Sequence, residues 1–221
     1  MPSIIKSTFA TILYILIIEL TAFWILIPEK LGFESYHNYY ILVQGLFQLV
    51  VVVIFTRLIK QNKTKKYCNS VKAKWYLIAA ISGCLFVVYQ SPLTWIYNFI
   101  FGTEHYIKYD FDGLIEFKNI NILSTILFIP IAEELFFRGF IQEYLQKKLK
   151  IWSAIIVASI MFAIIHAPYL DLVWSEYNPE WHSFYLTFFG GLISGIMYFK
   201  SKSILPSITF HIFWNIMATI V

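Results

Sequence analysis

Residues 39–59 read Tyr39-Tyr-Ile-Leu-Val-Gln-Gly-Leu-Phe-Gln-Leu-Val-Val-Val-Val-Ile-Phe-Thr-Arg-Leu-Ile59, with Arg57 as their sole charge. A helix of about 20 mostly apolar residues crosses the roughly 30 Å hydrocarbon core of a bilayer. Within lipid, a helix satisfies its own backbone donors and acceptors, which an open strand does not. The stretch therefore reads as a transmembrane helix. Outward from it, six further stretches have the same character, at about 7–27, 75–101, 120–140, 151–170, 183–199 and 204–221. The expected fold class is all-α, a polytopic membrane helix bundle with about seven transmembrane helices and a range of six to eight. The range comes from two places. Residues 75–101 are long for one crossing and contain Pro92, so they read as a span to about Gln90 followed by an interfacial or re-entrant piece. The last two stretches lie near the lower length limit.

Composition supports the same class. The 221 residues are 59% hydrophobic, 19% aromatic and 14% charged, whereas a soluble chain is about 45–50% apolar and about 25% charged. Soluble and disordered classes are excluded, because so apolar a chain would present large greasy patches to water. The formal charge of +4 comes from basic residues in short loops between apolar runs, so no nucleic-acid partner is expected. Cys68 and Cys84 lack His or Cys neighbours at ligand spacing and read as free thiols. The first stretch is longer than the apolar core of a cleavable signal, and no small-residue cleavage pattern precedes Pro28. No internal repeat or linker divides the chain.

Charge suggests an orientation. The loop after the second span carries Arg57, Lys60, Lys63, Lys65, Lys66, Lys72 and Lys74 without an acid, which places it in the cytoplasm. By alternation the N-terminus is cytoplasmic, and Lys147, Lys148, Lys150, Lys200 and Lys202 lie on the same side. The acids Glu104, Asp110, Asp112, Glu116, Asp171, Glu176 and Glu180 then fall outside.

Ionisable side chains inside spans are costly and mark function. In Ile131-Ala-Glu133-Glu134-Leu-Phe-Phe-Arg138, Glu134 and Arg138 are i, i+4 and share a helix face, so they pair. Glu133 is rotated about 100° away, has no intrahelical cation and is available as a general base. His166 shares a face with Phe162. His211 and Asn215 are also i, i+4 and point the same way into the bundle. Singly, such groups also serve as polar contacts that bind helices together. Converging, they make a water-activating site: a carboxylate takes the proton, imidazoles position water or bind a metal, and the Asn amide with a protonated His donates to an oxyanion. Two His and a Glu are also a ligand set of catalytic zinc.

The order Glu-Glu-x-x-x-Arg, Phe-x-x-x-His, His-x-x-x-Asn on successive hydrophobic segments resembles the CPBP family, the CAAX proteases and bacteriocin-processing enzymes also called Abi. The resemblance covers about residues 120–217. It implies an intramembrane endopeptidase with catalytic residues Glu133, His166, His211 and Asn215, supported by Glu134 and Arg138. The family includes members described as metalloproteases and members described as metal-free glutamate-dependent hydrolases. The cofactor is therefore a divalent metal such as zinc, with His166 and His211 as ligands, or none. The expected organisation is N-terminal helices without a recognised motif over 1–115 and a CPBP-like core over 116–221. Expected partners are membrane lipid and a hydrophobic peptide or membrane-protein substrate. The expected location is a prokaryotic plasma membrane. An alternative is a non-proteolytic immunity or partner-binding membrane protein that retains the motif residues. A third class, a small transporter or proton relay, leaves the order of the motifs unexplained.

Convergence imposes a geometric condition. At about 1.5 Å rise per residue, Glu133 and His211 lie roughly 10 Å from the inner ends of their spans, and His166 about 22 Å from Ile151. The fifth span must begin deeper or tilt, or residues 141–150 must lie away from the inner surface. Gly191 and Gly195, with Gly190, form a small-residue face for close helix packing. Glu19 stands alone in the first span and is assigned no role. Trp174 and Trp181 suit an interfacial belt.

Overall fold

The computed structural model describes residues 2–30, 39–59, 71–109, 119–167 and 181–220, with side chains of the first helix described from Ile4 to Ile18. Cys68, Trp174, most of the loop lysines, the acids from Asp110 to Glu116 and from Asp171 to Glu180, and the Glu19 side chain lie outside the described residues. Seven helices are formed, and no strand occurs among the described residues. They are α1 (Pro2–Lys30), α2 (Tyr40–Ile59), α3 (Ala73–Phe101), α4 (from Ser124 to Gln146), α5 (Ile151–Ile164), α6 (His182–Ser201) and α7 (Leu205–Ile220). The protein is an all-α membrane helix bundle. Both α2 and α3 have the length and apolarity to cross a bilayer, and α1, α5 and α7 carry shorter apolar segments. Large apolar side chains face outward: Phe9 is 69% and Phe99 80% exposed, which lipid tolerates and water would not.

Two elements differ from the expectation. Helix α3 runs unbroken through Pro92 for 29 residues, with no separate interfacial piece after Gln90. Proline removes one backbone donor, but a transmembrane helix tolerates this where neighbours bond the freed groups. Beside the Val88 carbonyl that Pro92 leaves without its helical donor, Tyr109 donates from its hydroxyl to the Val87 carbonyl (3.2 Å) and contacts Ser91 (2.5 Å). The helix ends at Gly102, whose φ of 65° suits an αL cap.

Helix α4 is longer than its apolar run. It comprises a π-helical turn Ser124–Phe128, α-helix Ile129–Phe136, a second π-helical segment Phe137–Gln142 and α-helix Glu143–Gln146. Buried Ile141, Gln142 and Leu145 carry it beyond residue 140. This extension meets the depth condition. Glu133 lies thirteen residues before Gln146, about 20 Å at helical rise. His166, fifteen residues after Ile151, lies about 22 Å from the same end. The α6–α7 turn stops short of that end, with Ser203 and Ile204 fully buried. Tyr198, near the end of α6, donates to Glu143 on α4 (3.0 Å). His211, six residues after Leu205, therefore needs only about 9 Å to reach the same level.

One apolar core unites the bundle, drawing Tyr14 from α1, Val52 from α2, Phe86 from α3, Phe136 from α4, Phe162 from α5 and Phe210 from α7. Helices α3 and α7 touch backbone to backbone at Gly83, where a Cβ would sit 2.5 Å from the Phe210 carbonyl oxygen. The expected small-residue face of α6 packs as such. A Cβ on Gly191 would press on Phe162 and Ser159 of α5, and one on Gly195 on Gln142 of α4 and Ile155 of α5.

Candidate active site

The centre of the site is α4, between its two π-helical segments. Such segments widen a helix and recur at functional sites. Glu133 and Glu134 lie in the α-helical stretch between them, and Arg138 lies in the second.

Glu134 is fully buried and multiply bonded. Its Oε2 lies 3.2 Å from Arg138 Nε and accepts a 2.6 Å bond from Ser194 Oγ. Arg138 Nε also donates to Ser194 Oγ (3.1 Å), closing a triangle between α4 and α6. Its Oε1 lies 3.3 Å from His211 Nδ1. An ionised carboxylate only accepts, so Nδ1 is the donor, and the bond orients the imidazole. The i, i+4 pairing expected from spacing is present. The serine was missed, because a Ser within a glycine-rich span reads as a packing residue. The only available signal was that a buried carboxylate has more lone pairs than one guanidinium satisfies.

Glu133 faces elsewhere. His211 Nε2 lies 3.8 Å from its Oε2. His211 thus stands between the two carboxylates, with one ring nitrogen toward each.

His166 lies just beyond α5, in a turn where its N–H bonds the Ala163 carbonyl (2.9 Å). Its Nδ1 contacts the Phe162 carbonyl oxygen at 3.1 Å. That oxygen only accepts, so Nδ1 bears the proton and Nε2 presents a lone pair. The Phe162 ring sits 5.1 Å from the His166 ring and 5.7 Å, edge-on, from the His211 ring, with the Arg138 guanidinium 5.0 Å above it. Phe162 is therefore the spacer that holds both imidazoles and the guanidinium in place. Asn215 donates from Nδ2 to the Thr125 carbonyl (2.7 Å) in the first π-helical turn of α4, which leaves its second amide N–H for another acceptor. The Glu133–Glu134–Arg138–His211 set is in direct contact, His166 joins through Phe162, and Asn215 is tied to α4 one turn along α7.

The donors do not fit the zinc expectation. Among the described residues, no group of three His, Cys, Asp or Glu side chains is placed to hold a metal ion. The Phe162 ring contacts both expected ligands, His166 and His211, and both His211 nitrogens already face carboxylates.

Beside the site, an apolar cavity of about 500 Å³ lies between α3 and α6, lined in part by Leu85, Phe86, Leu93 and Phe189. Phe86 meets Trp214 edge-on at 4.9 Å, and Trp214 stacks on His211 at 5.4 Å.

Residues 116–217 match the family model Rce1-like, described as type II CAAX prenyl endopeptidase Rce1-like. No curated protein and no solved structure matches the chain.

Proposed function

We propose, from the match of residues 116–217 to the family described as type II CAAX prenyl endopeptidase Rce1-like, that the chain is a membrane peptidase that works by glutamate-activated hydrolysis. The enzyme cleaves a peptide bond in a membrane-associated peptide or membrane protein, with Glu133 as general base. The observation that carries this reading is the placement of His211 between two unequal carboxylates, with Nδ1 3.3 Å from Glu134 and Nε2 3.8 Å from Glu133. Glu134 is committed to Arg138 and Ser194, and Glu133 is not.

Water bound between Glu133 and the His166 Nε2 lone pair gives its proton to the Glu133 carboxylate. Its oxygen forms a bond to the scissile carbonyl carbon. His211 Nε2 and the second N–H of Asn215 donate to the oxyanion of the tetrahedral intermediate. The C–N bond then breaks, and protonated Glu133 delivers its proton to the leaving amine. Arg138 and Ser194 hold Glu134, and Glu134 holds the His211 ring. Preorganised donors of this kind avoid reorganisation during the reaction.

By the positive-inside rule, the end of the bundle that carries Lys147, Lys148, Lys150, Lys200 and Lys202 is the cytoplasmic end in this reading.

The test is cleavage of a mixed library of hydrophobic peptides by purified protein in liposomes, read by mass spectrometry, with Glu133→Gln beside the wild type. Cuts made only by the wild type are expected. Equal turnover by a folded Glu133→Gln protein overturns the mechanism.

A further inference from the structure

The hydrogen bond to Glu134 fixes one corner of the His211 imidazole and leaves its plane open. We propose that Trp214 is a positioning residue for His211, with Phe86 of α3 and Gly190 of α6 forming the seat that holds the indole. This rests on the peptidase reading above, in which His211 Nε2 donates to the oxyanion.

The need follows from the ring itself. The outer torsion of a histidine is broad and roughly two-fold, so the rotamer does not choose a plane. A half-turn about that torsion would carry both nitrogens away from the two carboxylates. Nδ1 lies 3.3 Å from Glu134 Oε1, and a bond through one ring atom lets the ring swing about it. Nε2 lies 3.8 Å from Glu133 Oε2, longer than a hydrogen bond. The carboxylates therefore attract the nitrogens without setting the plane.

Two aromatic rings supply the missing restraint. Phe162 of α5 meets the imidazole at 5.7 Å with the planes 86° apart, and Trp214 stacks on it at 5.4 Å with the planes 29° apart. Both separations fall in the range of attractive aromatic pairs, about 4.5–7 Å. His211 and Trp214 are three residues apart on α7 and so are neighbours on one helix face. One ring nearly perpendicular and one nearly parallel confine the imidazole from two directions.

The indole is itself held. Trp214 is 7% exposed. A Cβ on Gly190 would fall 2.4 Å from its Cζ3 and 2.6 Å from its Cη2, so the six-membered ring lies directly on the α6 backbone. Phe86 meets it edge-on at 4.9 Å, and Phe210 lies 6.0 Å away. The backbone of Trp214 is fixed as closely: a Cβ on Gly83 of α3 would fall 2.9 Å from its nitrogen. Three helices thus converge on one indole, and the indole rests on the imidazole. A displacement of about 1 Å in a reacting group can cost about 10²-fold in rate, so a ring packed behind the donor bears on turnover as well as on stability.

The experiment uses the full chain in liposomes and peptide cleavage as above. Trp214→Leu keeps an apolar side chain and removes the stack. It is expected to lower kcat about tenfold or more, with KM within about twofold of the wild type. Trp214→Phe retains a ring and is expected to recover part of that loss. Gly190→Ala does the converse: it leaves every aromatic ring in the protein and pushes the indole off its seat. It is expected to lower kcat on its own and to add little in the Trp214→Phe background, where the two atoms it strikes are gone. A second readout is independent of turnover. In protein carrying ¹⁵N-labelled histidine, the Nδ1 resonance of His211, identified by its loss in His211→Gln, is expected to move in Trp214→Leu and in Gly190→Ala. It is expected to stay in Trp95→Leu, since Trp95 is 69% exposed on α3. A lower melting transition with kcat and the resonance both unchanged in the folded variants overturns the proposal. Should Trp214→Leu fail to fold, Trp214→Phe and Gly190→Ala decide it by the same two readouts. A wild-type protein that cleaves nothing overturns the peptidase reading, while the resonance still reports whether Trp214 holds the ring.

Discussion

Glu133 and Glu134 are neighbours in sequence and face two different environments. On the Glu134 side, α4 meets α6 through a closed triangle of carboxylate, guanidinium and hydroxyl, all fully or almost fully buried. On the Glu133 side, one imidazole nitrogen stands at 3.8 Å. A helix turns about 100° per residue, and that rotation separates a carboxylate bonded to Arg138 and Ser194 from the one proposed as the base. Two adjacent acids of the same type thus acquire different surroundings from the helices they face.

The largest expected effect tests the Glu133 face. Glu133→Gln keeps the shape and removes the proton acceptor. General-base catalysis is worth about 10²–10⁴-fold, so cleavage should fall by about that factor with the protein still inserted and folded, as measured by peptide turnover beside a thermal melt. Next comes the Glu134 face, where the readout changes from rate to stability. Arg138→Ala leaves a buried carboxylate without its cation, and breaking a buried pair costs about 3–5 kcal/mol. The melting transition in detergent should drop accordingly, and an Arg138→Ala protein as stable as the wild type would erase the contrast between the faces.

Ser194→Ala should have a smaller effect. A hydrogen bond to a charged group contributes about 1.5–3 kcal/mol. The loss should be visible in the melt and should couple to Arg138→Ala in a double-mutant cycle. The smallest expected effect is that of a chelator. With no three-donor set among the described residues, cleavage after exhaustive dialysis against EDTA should equal that before it. A loss that zinc restores would place a metal among His166, His211 and Glu133 and would require Phe162 to move aside.

The features that could be read in the sequence were those of short range. The i, i+4 pairing of Glu134 with Arg138 and the facing of Phe162 and His166 follow from helix geometry over one turn, and both are present. The all-α class followed from the apolar runs. What escaped notice depends on contacts between distant segments. Ser194 bonds a residue sixty positions away, and Trp214 is one aromatic in an apolar run until Gly190 and Phe86 seat it. The polar stretch from Gln142 to Gln146 resembles a loop until burial of Gln142 and Leu145 reveals helix, and the level of His166 depended on that stretch. Pro92 misled for the opposite reason, since a local rule about proline was overridden by packing.

The stack of Trp214 on His211 has a consequence for optical measurement. Indole emission is quenched by a charged imidazole held against it, and the two rings here are 5.4 Å apart and tilted by 29°. Trp214 is also seated over Gly190, where a Cβ would fall 2.4 Å from its ring, so it has little room to turn away. The difference in fluorescence between the wild type and Trp214→Phe therefore isolates, among seven tryptophans, the one that lies against His211. The protein carries its own optical probe of the imidazole between its two glutamates, and no label is needed.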